Sequence, residues 1–366
     1  MSDFDLYSAA NGTFARRGRL VVLCVLALAV VAVLLRFAEL GRLWVLLRQI
    51  DAGWLIAATL VQGGALACIP LVWWTVLRRG GVRVPFGHVF PLAFAKVFVD
   101  RVVPSGGISG SAAAVAGLER RGVAQPLALA AILADFIAYF LGFAGAVLLA
   151  LLTLWRSVLP SKLVLALCLP FLLVALLVPG IILRLLSPRP GFLLRRLGRW
   201  KAVTRFLQTF QAAPRALVVA PGSLLPGALF RFLVFVFNAA TLWALLRALG
   251  HPATLGPAFV AVVVGALATT LGPFPGGVGA YEPGAVGVLI LSGIPNEEAV
   301  AAVLLLRGLT FWAPILPGFF VVKRALGPTG ASAKPQSDNL AESNSTPVAS
   351  MACTVMVPPS TTTYRK

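Results

Sequence analysis

LGPFPGGVGAYEPG, Leu271 to Gly284, sets three prolines and five glycines between two long apolar runs. Proline lacks the backbone donor and clashes with the preceding turn, and glycine tolerates positive φ, so no continuous helix passes through this stretch. The flanking sequence is apolar enough to sit in a bilayer. An unsatisfied backbone group in lipid costs several kcal/mol, so non-helical chain at that depth survives only when buried in protein or lining a wet cavity. The expected structure is a re-entrant hairpin over 258–292: an apolar half-helix to Leu271, a Gly/Pro tip, and a returning half-helix from Tyr281.

Working outward, the whole chain is of this kind. Of 366 residues 59% are hydrophobic and 12% charged, with mean hydropathy +0.93. Apolar runs of roughly 20 residues recur, which is the length a helix needs to cross a bilayer. The fold class expected is an all-α polytopic membrane protein. The net charge of +19 would suggest nucleic acid in a soluble domain. Here the basic residues cluster in the short segments between apolar runs, which points to membrane topology and anionic headgroups and to no nucleic-acid partner. Cys24, Cys68 and Cys168 lie in apolar runs and Cys353 in the tail. No disulfide, metal or cofactor spacing follows from them.

In chain order, 1–19 is a cytoplasmic leader ending in Arg16, Arg17 and Arg19, followed by the apolar run Leu20 to Leu35. No small-residue cleavage site follows that run, so it reads as a retained first span. Further spans are expected at about Gly53–Leu77, Leu127–Trp155, Leu163–Leu186, Leu224–Leu249 and Ala299–Val322, about six in all. Between the second and third spans, 85–121 is too broken and too charged (Lys96, Asp100, Arg101) for a lipid-facing helix. Its centre, VVPSGGISGS from Val102 to Ser111, marks a first re-entrant hairpin. Segment 187–222 is basic and partly amphipathic, and 327–366, rich in Ser, Thr, Pro and Asn, is expected to be a disordered cytoplasmic tail. The domain proper is then 20–326.

The basic residues orient these pieces. With the N-terminus inside, the inner segments collect Arg78, Arg79, Arg83, Arg120, Arg121 and the seven basics of 187–222, while the outer ones hold far fewer. Both termini are then cytoplasmic, and the two hairpins enter from opposite faces. They also resemble each other. A shift of 171 residues puts Pro104 on Pro275, Gly106 on Gly277 and Gly122-Val123 on Gly293-Ile294. With three spans between the copies, the repeat is inverted, an architecture in which broken helices meet near the midplane of many transporters.

These residues carry a family resemblance. Pro273, Pro275, Gly276, Gly277, Gly279 and Glu282, then Gly293, Arg307, Trp312 and Pro314, resemble the C-terminal signature of the flippase-like family named after the transmembrane region of lysylphosphatidylglycerol synthase. Pro104 and Arg120-Arg121-Gly122 look like its N-terminal half. One departure is Ser111, where the repeat would place an acid matching Glu282. The resemblance implies the inner membrane of a bacterial cell, and its best-understood members flip an aminoacylated anionic phospholipid made by a fused soluble synthase domain. The tail here is too short and polar to fold as such a domain, so a free-standing transport module is expected, with a homodimer or a separate lipid-modifying enzyme as its possible partner.

The chemistry of the residues is compatible with moving an anionic phospholipid or lipid-linked headgroup. Arginine at membrane depth faces a cavity or a partner, which makes Arg101, Arg231 and Arg307 candidate phosphate contacts. The half-helix after Gly279 offers free N–H groups to an anion. Pro104, Gly106, Gly107, Pro275, Gly276 and Gly277 at the tips complete the candidate substrate path. Glu282, beside Pro283, fits either the first turn of a helix or a pair with Arg307. Asp135 reads as a site residue or as the neutraliser of a buried arginine, and Asp100 with Arg101 as an interfacial pair. Arg195, Arg196, Arg199, Lys201 and Arg205 suggest an interfacial helix on anionic lipid.

Enzymes fit less well. Gly107-Ile108-Ser109-Gly110 matches the G-x-S-G of intramembrane serine proteases, which need a histidine base, and the two histidines, His88 and His251, fall near span ends. No cluster of acids or histidines suits a glycosyltransferase or phosphatase. A non-transporting membrane partner or regulator of envelope lipid synthesis is the other class that the sequence allows.

Overall fold

The structure, a computed structural model, describes residues 50–102, 107–157, 162–186, 213–271 and 279–326. Within them the chain is helical and has no strand. The helices are α1 Ala52–Arg79, α2 Phe86–Val102, α3 Ile108–Glu119, α4 Gln125–Ser157, α5 Lys162–Leu185, α6 Arg215–Val219, α7 Pro221–Ala248, α8 Leu255–Leu271, α9 Tyr281–Leu291, α10 Asn296–Arg307 and α11 Ile315–Leu326, with a π-helical turn at Gly308–Trp312 between the last two. Four stretches are long and apolar enough to cross a membrane: Ala52–Arg79, Gln125–Trp155, Pro221–Ala248 and Asn296–Lys323. They fall on the expected second, third, fifth and sixth spans. The expected fourth is α5, and the first lies outside the described residues. Leu60, Trp155, Leu176 and Leu225 turn large apolar side chains outward, as lipid contact requires.

Local chemistry sets these boundaries. Asp51 caps α1 by accepting the Gly53 N–H at 2.7 Å, and Arg78 and Arg79 close the helix where its carbonyl end favours cations. The described helices stop and resume on either side of each Gly/Pro stretch: α2 ends at Val102 and α3 starts at Ile108, and α8 ends at Leu271 and α9 starts at Tyr281. α2 packs on α3, with Gly110 against the Lys96 carbonyl and the Asp100 side chain and Gly117 against Leu92. α8 packs on α9, where Gly265 lies under the Tyr281 ring. Such glycine faces let two helix backbones approach closely.

The elements recur at a fixed spacing. α1 and α7 are each 28 residues long, and α2 and α8 are each 17, with starts 169 residues apart in both pairs. Past the tips the spacing is 171: Gly122 and Gly293 both take positive φ, and Val123 and Ile294 return their N–H groups to Leu118 and Leu289. Before the tips, Trp74 donates to the Val84 carbonyl and lies under Arg78, while Trp243 donates to the Ala253 carbonyl and lies under Arg247. The tips therefore differ by two residues.

Equivalent helices pack on each other. The Asp51 N–H reaches the Ala248 carbonyl at 3.0 Å, Gly64 meets the Phe237 ring, Val72 meets Gly227 and Arg79 meets Gly222. α1 and α7 are thus antiparallel along their whole length. α4 crosses them, and Gly142 sits directly on the α7 backbone at Ala228 and Phe232. The core closes around Phe143, stacked on Phe235 and tilted against Phe171.

Candidate functional site

α2 carries Lys96, Asp100 and Arg101 along its final turns. Lys96 and Asp100 are four residues apart, so they share a face, and their side chains meet at 2.6 Å. The other Asp100 oxygen accepts the Gly110 N–H at 2.8 Å, capping the first turn of α3 from the opposite arm of the hairpin. The expected Asp100–Arg101 pair does not form, because Asp100 is committed to Lys96 and to that N–H. Arg101, one residue on, points elsewhere.

Its target is created by Pro314. A proline removes the N–H that would bond the carbonyl four residues earlier, here Thr310. The ladder shifts: Ala313 bonds Gly308 in a π-turn, an insertion common at functional sites. Arg101 fills the gap, donating from Nη2 to the Thr310 carbonyl at 2.6 Å and from Nη1 to the Phe311 carbonyl at 2.7 Å. The expected continuous sixth span is therefore divided, and its break is held by the first hairpin segment. Two cations lie over the Phe311 ring, the Arg101 guanidinium carbon 4.5 Å and that of Arg307 4.7 Å from its centre.

Arg307 pairs with Glu282, Nε to Oε1 at 3.0 Å, and also lies over Tyr281. The second Glu282 oxygen accepts the Gly279 N–H at 2.8 Å, where Gly279 has φ +88°. Both sequence readings of Glu282 hold at once. The Gly279 N–H, just before the half-helix whose N–H groups the sequence reading offered to an anion, is taken by the chain's own carboxylate. A deeper pair joins α4 to α7: Asp135, with 4% of its side chain exposed, receives two hydrogen bonds from Arg231, with 11%, one of them Nε to Oδ1 at 2.7 Å. Arg231 also faces Tyr139, which has Thr270 beside it, and Lys96 faces Phe136.

The structure thus gathers Arg101 and Arg307 over Phe311, with Glu282 on Arg307, while Asp135 and Arg231 pair with each other between α4 and α7. Gly107 takes φ +91° at the start of α3. Pro104, Gly106, Pro275, Gly276 and Gly277 lie outside the described residues, as do Arg195, Arg196, Arg199, Lys201 and Arg205. Sequence reasoning missed Lys96, Asp100, Tyr281, Thr310 and Phe311 as site residues. The i,i+4 charges in an apolar helix and the Thr-Phe-Trp-x-Pro run were the available signals. His251 is held by Glu298 at 2.8 Å, and His88 stands in the first turn of α2, at the end remote from Asp100 and Gly110. Among the described residues no three of His, Cys, Asp and Glu gather as a metal site would need.

With this geometry in place, the chain was compared with known proteins. The family model described as the lysylphosphatidylglycerol synthase TM region matches residues 21–318. No curated protein matches the chain.

Proposed function

Because this chain belongs to the family of the lysylphosphatidylglycerol synthase transmembrane region, we propose that it is a flippase- or scramblase-like transporter rather than an enzyme, moving an anionic phospholipid or lipid-linked headgroup across the inner membrane. The protein is multi-pass. In this reading the antiparallel α1 and α7 are equivalent spans of an inverted repeat, the helix pairs α2–α3 and α8–α9 are re-entrant hairpins, and both termini are cytoplasmic. On that topology the positive charge of the sequence 187–222 belongs to the side that carries anionic lipid.

One observation carries the proposal. Among the described residues, Arg101 is in no ion pair, although it sits where the first hairpin segment meets the broken last span. A cation at membrane depth that answers only to carbonyls and a ring lacks an anion, and a phosphate headgroup supplies one. Acyl chains would stay in lipid while the headgroup passes the Arg101–Phe311–Arg307 cluster.

The test is headgroup movement in vesicles holding the purified protein, with labelled anionic phospholipids and a polyprenyl phosphate. Arg101→Ala, Glu282→Ala and Arg307→Ala are expected to lose movement by tenfold or more while still inserting into membranes. Unchanged rates in all three would remove the cluster from the path. Movement of no lipid by the parent protein would favour a membrane partner or regulator of lipid synthesis.

A further inference from the structure

Resting on that transport reading, we propose that the site selects a phosphodiester headgroup with one negative charge and no ammonium group. Three cations meet there, Lys96, Arg101 and Arg307, against two carboxylates, Asp100 and Glu282. One positive charge is left over, and it is held beside a like charge: Arg101 and Arg307 both lie over the Phe311 ring. Charges in a low-dielectric interior are stabilised only by a matching partner.

A single anionic charge between the two guanidinium groups completes the count. Arginine has five N–H donors, and the Thr310 and Phe311 carbonyls take one each from Arg101. Planar donors remain for a phosphate oxygen pair. A second negative charge, as on a phosphomonoester near neutral pH, would face Lys96 and Arg307, each already holding a carboxylate. An ammonium headgroup fares no better. Asp100 is engaged by Lys96 and the Gly110 N–H, and Glu282 by Arg307 and the Gly279 N–H. No carboxylate of the cluster is left for a substrate cation.

The same count gives a reversal. Glu282→Gln and Asp100→Asn each keep a carbonyl oxygen for the backbone N–H and each add one positive charge, which moves the preference toward a dianion.

The experiment uses the full-length protein in vesicles of neutral lipid at pH 8. Three lipids with the same labelled acyl chains are compared: a glycerol phosphodiester, a choline phosphodiester and a phosphomonoester. The expected result is movement of the glycerol lipid at least tenfold faster than either other, with the monoester-to-diester rate ratio rising about tenfold in Glu282→Gln or Asp100→Asn. Equal rates for the three lipids, or an unchanged ratio in both variants, would overturn the proposal. If no lipid crosses, the transport reading fails separately. Retention of the three lipids by detergent-purified protein, read by native mass spectrometry, then decides the preference: selective retention of the glycerol diester upholds it and equal retention overturns it.

Discussion

Asp135 and Arg231 illustrate what a residue contributes in this interior. Their partner groups lie 96 positions apart, and both are withdrawn from solvent. Removing one charge strands the other, which costs about 3–5 kcal/mol, whereas replacing both with apolar groups of similar volume is often close to neutral. We predict that Asp135→Asn lowers thermal stability in detergent strongly, and that Asp135→Leu combined with Arg231→Met recovers most of the loss. A double variant as unstable as the single one would show that the pair does more than neutralise itself.

At the scale of elements, the last span is built against its own propensity. A proline inside a helix costs about 3 kcal/mol, yet Pro314 stands in the middle of a membrane-crossing stretch, and the freed Thr310 carbonyl is taken over by Arg101. Restoring the N–H with Pro314→Ala lets residue 314 bond Thr310 and competes with Arg101. The expected outcome is equal or higher thermal stability with headgroup movement reduced tenfold or more. Lower stability with unchanged movement would mean that the break is a packing feature and not part of the path. Gly110 sets a second constraint on these elements. A Cβ there meets the Lys96 backbone carbonyl, so the hairpin arms could not keep their spacing.

For the whole molecule, the antiparallel α1 and α7 decide topology. Arg83 follows α1 and Thr254 follows α7, and both are exposed. If the copies are inverted across the membrane, a single cysteine at Arg83, in a protein whose four native cysteines have been replaced, labels from the cytoplasmic face, and one at Thr254 labels from the outside. Labelling of both from one face would remove the inverted arrangement and the two-sided site built on it.

Sequence alone determined the membrane class and where four of the long apolar helices run. These depend on local signals: apolar length, and glycine or proline where a helix must stop. The repeat was legible too, because Gly122 and Gly293 mark the same turn, although the two-residue difference at the tips showed only in the aligned helices. The pairing of charges was decided by the tertiary structure. Arg101 reaches Thr310 and Phe311 across 209 and 210 positions, and Asp100 turned out to belong to Lys96 and Gly110. The copies share a scaffold and not their charges: Arg231 corresponds to buried Gln62, Arg307 to Phe136 and Glu282 to Ser111. The Arg101 contacts and the Asp135–Arg231 pair depend on three-dimensional packing between distant segments, to which residue spacing along the chain is blind, whereas Lys96 and Asp100 meet at a helical i,i+4 spacing.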